Sequence, residues 1–260
     1  MSELEKLMYQ VLCNISNTNA PIIFKGALIT KLALAENGYN NIERITRDID
    51  ANWIGTPPSN EELLQTINAS LGAMGENLYA ELRREHSDRK SAGIKIISKN
   101  TKDELVSMDI SIKPVTGSRI YYYGDAKIKG VLPNEILADK ICVLSSHLLF
   151  RRMKDMVDVY ALSNCMRVKI SEIFDVCSKK GIKIKGFDEF YSKKSDIEHA
   201  YNKLRGVEGK PNFDTIYSYM SEFLRPFEVK NKVDGIWDSN IQKWVFEQKK
   251  SMNRINNYLL

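Results

Sequence analysis

The first half of the chain contains several short runs in which apolar and polar residues alternate, a pattern typical of half-buried strands. Residues 21–28 predict a buried strand that breaks at Gly26 and continues into a helix over residues 27–36. Apolar residues at helical spacing predict two more helices, over residues 3–15 and from Asn60 to about Met74. The remaining predicted strands span residues 46–53, 93–98, 104–113, 119–123 and 127–131.

The pattern changes near Pro133, because apolar residues from there to the end recur with a period of about 3.6 residues. Pro133 itself is suited to the first turn of a helix. The sequence therefore predicts an α+β protein with two domains. These are a core over residues 1–132 and a mostly helical C-terminal domain over residues 133–260.

Three aspartates occur on two of the predicted strands. Asp48 and Asp50 lie two positions apart, so a strand places both side chains on one face while Ile49 enters the core. A neighbouring strand that carries Asp109 would bring a third carboxylate beside them. Three such oxygen donors repel one another unless a cation lies between them, and Mg²⁺ suits the site because it also binds substrate phosphates. The pattern indicates metal-assisted nucleotidyl or phosphoryl transfer, with Mn²⁺ as the alternative ion.

Gly26 lies at the predicted turn from strand to helix. A glycine there lets a phosphate approach the backbone, and the first N–H groups of the helix then point at the anion. Each feature also has an ordinary alternative, since Asp-x-Asp occurs on exposed strand edges and a glycine serves in simple turns. The order of the turn, the Asp-x-Asp strand and the third aspartate favours the functional interpretation.

Four short segments, in this order, resemble a known family. Residues 24–28 and 44–50 resemble the glycine turn and the Asp-x-Asp of the polymerase-β-like nucleotidyltransferases. Residues 135–141 and 152–160 resemble the later motifs of the AbiEii/AbiGii toxin branch. The resemblance implies a polymerase-β-like nucleotidyltransferase core in the toxin of a toxin–antitoxin or abortive-infection system, with a cognate antitoxin as partner. It also implies transfer of a nucleoside monophosphate from an NTP to an RNA hydroxyl, with the 3′ end of tRNA as the acceptor of some relatives.

The resemblance also implies catalytic roles for five residues. Asp48, Asp50 and Asp109 would bind the metal ion, and Asp109 would help to deprotonate the acceptor hydroxyl. Lys140 would point from its helix toward the phosphates. Asp158 would hold Lys140 or an arginine in position, and it is the more structural of these candidates.

The nucleotide-binding residues implied by the resemblance are Lys25, Gly26, Ala27 and Lys140. The family usually has a second glycine or a serine where this chain has Ala27. A serine hydroxyl donates a hydrogen bond to a triphosphate, whereas alanine offers only its backbone N–H.

Composition predicts a protein with a packed core, since 43% of the 260 residues are hydrophobic. No apolar run approaches the roughly 18 residues that span a membrane, and the N-terminus lacks the pattern of a signal peptide. The four cysteines show no Cys-x-x-Cys spacing, which predicts reduced thiols rather than a zinc site. We therefore expect a cytoplasmic protein that does not enter a membrane.

The net charge of +5 is compatible with nucleic-acid binding without requiring it. Positive charge is concentrated over residues 179–185 and again over residues 243–254. Such runs are usually solvated faces, but beside a metal site they would form an RNA cradle, because phosphate contacts supply affinity independent of sequence.

Two alternatives to an RNA-modifying toxin stay open at this stage. A small-molecule nucleotidyltransferase of the antibiotic-modifying kind would use the same carboxylates with a different acceptor pocket. A catalytically inactive relative would act only through a protein partner, and Ala27 is the residue that best supports it.

Overall fold

The computed structural model of the chain describes residues 2–72, 77–84, 91–147, 149–228 and 234–246. The N-terminal part of the fold begins with α1 (Glu3–Asn17), β1 (Ile22–Lys25), α2 (Gly26–Glu36), β2 (Glu43–Arg44), β3 (Asp48–Trp53) and α3 (Asn60–Gly72). It continues with β4 (Leu78–Arg84), β5 (Ser91–Ser98), β6 (Glu104–Ser111), β7 (Ser118–Tyr123) and β8 (Ala126–Val131).

A mixed sheet of seven strands forms the centre of the molecule, in the order β4-β5-β6-β3-β1-β8-β7. β3 runs antiparallel to β1 and parallel to β6, and β8 runs parallel to β1. Alternate residues of β3 and β6 are almost fully buried, among them Ile49, Ala51, Met108 and Ile110. The opposite face of these strands is therefore the one that carries their polar residues.

The C-terminal part is mostly helical. It contains α4 (Pro133–Leu144), a 3-10 helix (Leu149–Arg151), α5 (Met153–Cys165), β9 (Val168–Lys169), α6 (Ile170–Lys180), α7 (Asp188–Ser192) and α8 (Lys194–Asn202). Its last described elements are β10 (Val207–Glu208), α9 (Phe213–Glu228), β11 (Gly235–Asp238) and β12 (Lys243–Phe246). β9, β11 and β12 form a small sheet next to α9, where Trp237 and Trp244 pack around Phe223.

The two parts share one hydrophobic core, which extends from Met8 on α1 to Trp244 on β12. α2 packs against both α4 and α5, and β2 pairs with β10 across the two parts. The elements change from strands to helices at Pro133, as the sequence predicts. The division into two domains at that point stays a prediction.

The predicted α+β class is confirmed, and the elements from α1 to α4 that carry it lie close to their predicted positions. Residues 46 and 47 precede β3 rather than belonging to it, and α3 ends at Gly72, so the predicted end near Met74 lies outside the described residues. β2, β4 and the short strands of the C-terminal part were not predicted. The four cysteines are free thiols. No helix in the described ranges combines the length and the apolar character needed to cross a membrane.

Candidate active site

Three aspartate side chains share one face of the central sheet. The parallel register of β3 and β6 places Asp50 directly beside Asp109. Asp48 lies two residues before Asp50 and therefore occupies the same face, while the intervening Ile49 is fully buried on the other. Asp48 and Asp109 are exposed and Asp50 is partly buried, so Asp50 lies deepest of the three. The two strands are neighbours, as the sequence predicts.

The turn between β1 and α2 lies against Asp50. β1 places Lys25 opposite Asp50, and Gly26 follows with a φ of +73°, in the left-handed region that favours glycine. A Cβ atom on Gly26 would lie 2.1 Å from Oδ2 of Asp50, so a glycine leaves the space that this carboxylate fills. α2 begins at this turn, and the first N–H groups of a helix have no partner within it. The turn is therefore suited to hold an anion close to the carboxylates.

Burial and repulsion dominate the electrostatics around Asp50. Burial, followed by repulsion from Asp48, raises the pKa of Asp50 to about 6, although Lys25 acts in the opposite direction. The Lys25 ammonium donates to neutral groups, at 2.7 Å to Oδ1 of Asn52 and at 2.5 Å to Oγ of Ser111. Burial lowers the pKa of Lys25. The three carboxylates of this face therefore outnumber the two cations beside them, Lys25 and Arg84.

The donor set on this face fits a hard cation, because carboxylate oxygens are the ligands that Mg²⁺ and Mn²⁺ prefer. The carboxylates do not form a ready-made cluster, however. In the described ranges, no group of three or more His, Cys, Asp or Glu side chains is arranged to hold a metal ion. Asp48 accepts a hydrogen bond from Thr46 at 2.9 Å, and Arg84 lies 3.9 Å from Asp109. Both aspartates are exposed, so these contacts do not lock them away from a cation.

Lys140 is a buried cation held by two carboxylates of α5. Its Nζ atom donates to Oδ1 of Asp155 at 2.9 Å and to Oδ2 of Asp158 at 2.6 Å. Burial lowers the pKa of Lys140, but the attraction of Asp158 and Asp155 outweighs it, so the net pKa is raised. The Asp158 side chain is only 5% exposed and lies in this network rather than on the aspartate face. The structure thus places it as a partner of Lys140.

Arg44 is a member of the same network that sequence analysis did not single out. Its Nη1 atom donates to Oδ2 of Asp158, the same oxygen that binds Lys140. Its Nε atom is buried and has no hydrogen-bond partner among the described residues. Arg44 lies within the segment that carries the family resemblance. No local pattern, however, indicates that it meets a residue 114 positions later.

A cavity of about 220 Å³ lies between the Gly26 turn and this network. Five of the predicted site residues line it: Lys25, Gly26, Ala27, Asp50 and Lys140. The other lining residues are Arg44, Val131, Ile136, Asp139, Val143, Arg152 and Asp155. Asp48 and Asp109 lie outside the cavity wall on the adjoining sheet face, and Asp158 lies behind Lys140 and Arg44. The cavity wall therefore carries four cations and three carboxylates, and the exposed Asp48 and Asp109 lie beside it.

The basic run over residues 179–185 is only partly available to a ligand. Lys180 is turned inward, where its Nζ atom binds Glu135 at 2.8 Å and Asp139 at 2.7 Å. The prediction that the whole run lines an RNA cradle is therefore wrong for Lys180, while Lys179 and Lys183 are exposed. The second run, over residues 243–254, lies mostly outside the described residues.

Comparison with known proteins gives one extensive sequence match. Residues 10–243 match the model of the family described as "Nucleotidyl transferase AbiEii toxin, Type IV TA system". No curated protein matches the chain significantly in sequence.

Three solved structures are similar over part of their fold. MenT4, a nucleotidyltransferase toxin from Mycobacterium tuberculosis, is 16% identical, with 62% of this chain and 61% of that chain covered and a TM-score of 0.41. An antigenic nucleotidyltransferase-like protein from Paracoccidioides brasiliensis is 13% identical, with coverages of 77% and 92% and a TM-score of 0.41. The antibiotic-resistance factor ANT(2'')-Ia is 11% identical, with coverages of 77% and 97% and a TM-score of 0.42. The chain thus spans about three fifths of the length of MenT4.

Proposed function

Because the chain belongs to the AbiEii family of nucleotidyl transferase toxins, we propose that it transfers a nucleoside monophosphate from an NTP to a hydroxyl group of RNA. Within that class of acceptor we propose the 3′ end of tRNA. The observation that carries the proposal is the cavity that Asp50 lines, which has four cations and three carboxylates on its wall and lies between the Gly26 turn and Lys140. In this proposal the cavity would hold the triphosphate next to Asp48, Asp50 and Asp109, which share one face of the sheet.

The triphosphate would lie across the turn between β1 and α2. The backbone N–H groups that begin α2, including that of Ala27, would donate to phosphate oxygens. Lys25 and Lys140 would approach from two sides, and Arg44 has a buried N–H group free to join them. Because position 27 is alanine rather than serine, the triphosphate would lose one hydrogen bond from a side-chain hydroxyl. The backbone N–H of Ala27 and the other donors would still contact the phosphates.

Asp48, Asp50 and Asp109 would hold Mg²⁺, or Mn²⁺ in its place. When bound, the ion would supply positive charge that neutralises part of the charge of the triphosphate. The proposal rests on the donor chemistry and the shared sheet face of these side chains.

The proposed transfer is a displacement at the α-phosphorus of the NTP. The oxygen of the RNA hydroxyl forms a bond to that phosphorus, and the hydroxyl proton passes to the exposed Asp109 carboxylate. The bond from the α-phosphorus to its bridging oxygen breaks, and pyrophosphate leaves with the electron pair. Lys140, Arg44 and Arg152 would stabilise the charge that develops on the leaving group.

The biological setting follows from the family. A toxin acts in a cell that can also restrain it, so we propose a cognate antitoxin as the protein partner. We also propose the cytoplasm as the site of action.

A labelled-nucleotide experiment tests the proposed function. Purified protein would be incubated with each α-labelled NTP and Mg²⁺, together with either total RNA or a mixture of small hydroxyl acceptors. We expect label to enter RNA and a chelator to prevent it. If label entered only the small acceptors, the acceptor would be a small molecule and RNA would be the wrong substrate class. An absence of both transfer and NTP consumption would contradict an active enzyme and favour a protein that acts through a partner.

The Gly26 turn supplies a second prediction. We expect Gly26→Ala to reduce transfer by about a hundredfold, because the added Cβ displaces the Asp50 carboxylate, and misplacements of about 1 Å have effects of this size. Gly38→Ala is the matched control, since Gly38 also has a positive φ, of +68°, but no atom lies within 4 Å of the added Cβ. Gly38→Ala should lose about 1–2 kcal/mol of stability to the left-handed backbone, and Gly26→Ala should lose at least as much, because its Cβ also meets Asp50. Equal transfer rates in the two variants would mean that the turn does not position Asp50.

A further inference from the structure

A second cavity, of about 390 Å³, lies on the C-terminal part of the molecule and is strongly basic. Arg151, Lys154, Lys203 and Arg205 line it together with Phe150, and no acidic residue does. We propose that this cavity, which we call the acceptor pocket, binds the single-stranded end of the RNA that receives the nucleotide. The inference rests on the proposed function and extends it by assigning a site to the acceptor.

The charge of the acceptor pocket has no internal counterion. None of its four cations forms an ion pair with an acidic side chain within the described parts of the chain. In the cavity of about 220 Å³ that Asp50 lines, which we call the nucleotide cavity, Lys140 is by contrast already held by Asp155 and Asp158. Uncompensated positive charge at an open surface raises the local concentration of anions. The ligand expected here is therefore polyanionic.

An exposed aromatic ring distinguishes this pocket from a site for a free anion. Phe150 is 50% exposed, and the guanidinium carbon of Arg151 lies 5.6 Å from the centre of its ring. Cations that contact a phosphate backbone next to a ring on which a base can stack are the features that bind single-stranded nucleic acid. A phosphate ion or an acidic peptide would use the charges but not the aromatic face.

The acceptor pocket adjoins the nucleotide cavity along one segment of chain. Arg151, Met153 and Lys154 line the acceptor pocket, whereas Arg152 and Asp155 line the nucleotide cavity. The first turn of α5 therefore forms a wall between the two.

A second connection joins the cavities on their other side. The backbone N–H of Ile45 donates to the carbonyl of Gly206 at 2.8 Å, and Arg44 pairs with Val207 in the β2–β10 ladder. Arg44 lines the nucleotide cavity and Arg205 lines the acceptor pocket. In our proposal, the terminal hydroxyl of a strand that lies in the acceptor pocket enters the nucleotide cavity.

RNA-binding measurements on the full chain test the proposal. The probe is a short fluorescein-labelled single-stranded RNA with a free 3′ hydroxyl, titrated at several salt concentrations. We expect the double variant Lys203→Ala/Arg205→Ala to bind it at least about tenfold more weakly. The slope of log affinity against log salt should also decrease by about 1.4, because each phosphate contact on a single strand contributes about 0.7. The matched control is Lys179→Ala/Lys183→Ala, which removes two exposed lysines from α6 and the loop after it and should change neither quantity by as much.

The variant Phe150→Ala tests the contribution of base stacking to RNA affinity separately from the contribution of charge. Phe150→Ala should weaken binding of the same RNA by about tenfold while leaving the salt slope unchanged, since stacking releases no counterions. The exposed position of Phe150 makes a folding defect unexpected, and the thermal midpoint would verify this.

The outcomes separate this inference from the proposed function. One outcome is that the wild-type protein transfers nucleotide to RNA while Lys203→Ala/Arg205→Ala and Phe150→Ala bind RNA as tightly as the wild type does. In that case the acceptor pocket is wrong and the proposed function stands. If no acceptor is labelled, the proposed function fails. The RNA affinities of the variants would still show whether the acceptor pocket binds RNA. Polyglutamate is the competing probe. If its binding is lost in Lys203→Ala/Arg205→Ala while RNA binding is not, the pocket binds an acidic protein and the inference is overturned.

Discussion

Asp50→Asn is expected to reduce nucleotide transfer by at least about a hundredfold while the protein stays folded. Asp50 is the member of the aspartate group that also lines the nucleotide cavity. Its replacement removes one anionic oxygen at nearly constant volume, and loss of metal-assisted charge stabilisation is worth several kcal/mol, at about 1.4 kcal/mol per tenfold. Transfer of labelled nucleotide to RNA under saturating Mg²⁺ would measure the effect.

Stability should not fall with activity in this variant. Asp50 is partly buried beside two other carboxylates, so its charge opposes folding, and a neutral amide relieves the repulsion. Asp125→Asn is the control, because Asp125 undergoes the same chemical change at an exposed turn between β7 and β8. Wild-type transfer by Asp50→Asn, at an unchanged free energy of unfolding, would remove Asp50 from the site. An unfolded variant would instead indicate that Asp50 is needed for the fold, contrary to the repulsion argument.

The features that could be predicted from sequence are those encoded locally. The alternation around Asp48 and Asp50 places both on one strand face, and the glycine between β1 and α2 marks the turn beside them. The order of four short motifs was sufficient to predict the AbiEii family of nucleotidyl transferase toxins. That prediction is confirmed by the match over residues 10–243. The individual site roles stay predictions.

The edge strand β4 was not predicted, and its composition explains why. Only Leu78 and Ala80 of its seven residues are buried, and its end carries Glu81, Arg83 and Arg84. An edge strand that buries so little has a weak apolar period, and charged residues on it are common. The strands β9 and β10 are two residues each, too short to show alternation.

The position of Arg44 in the candidate site could not be predicted from local sequence patterns. The spacing of Asp155 and Asp158 already places them on one helix face, and both bind Lys140. The further pairing of Asp158 with Arg44 depends on how β2 packs against α5, which no window of sequence specifies. The charges that line the nucleotide cavity could therefore be enumerated only from the fold.

The second large effect is expected from Asp158→Asn, which should destabilise the protein by about 3–5 kcal/mol. Oδ2 of Asp158 accepts from both Lys140 and Arg44, so its loss leaves two largely buried cations with less compensation. For a chain of this size the thermal midpoint should fall by roughly 6–20 °C. Denaturant unfolding would give the free energy directly. Asp155→Asn is the control, since the Asp155 side chain is 21% exposed against 5% for Asp158, and it should cost much less.

A double-mutant cycle then decides what Asp158 does. If it acts by holding Lys140, Lys140→Met/Asp158→Asn should be more stable than the sum of the single effects by about 1 kcal/mol or more, because the cation is removed with its counterion. Lys140→Met alone should then lower transfer about as much as the double variant does, since both lack the same phosphate-binding cation. The contrary result is a stable Asp158→Asn protein that unfolds like the wild type yet transfers no nucleotide. That combination would assign Asp158 to the chemical step itself, and Arg44 and Lys140 would then be held by the rest of the cavity wall.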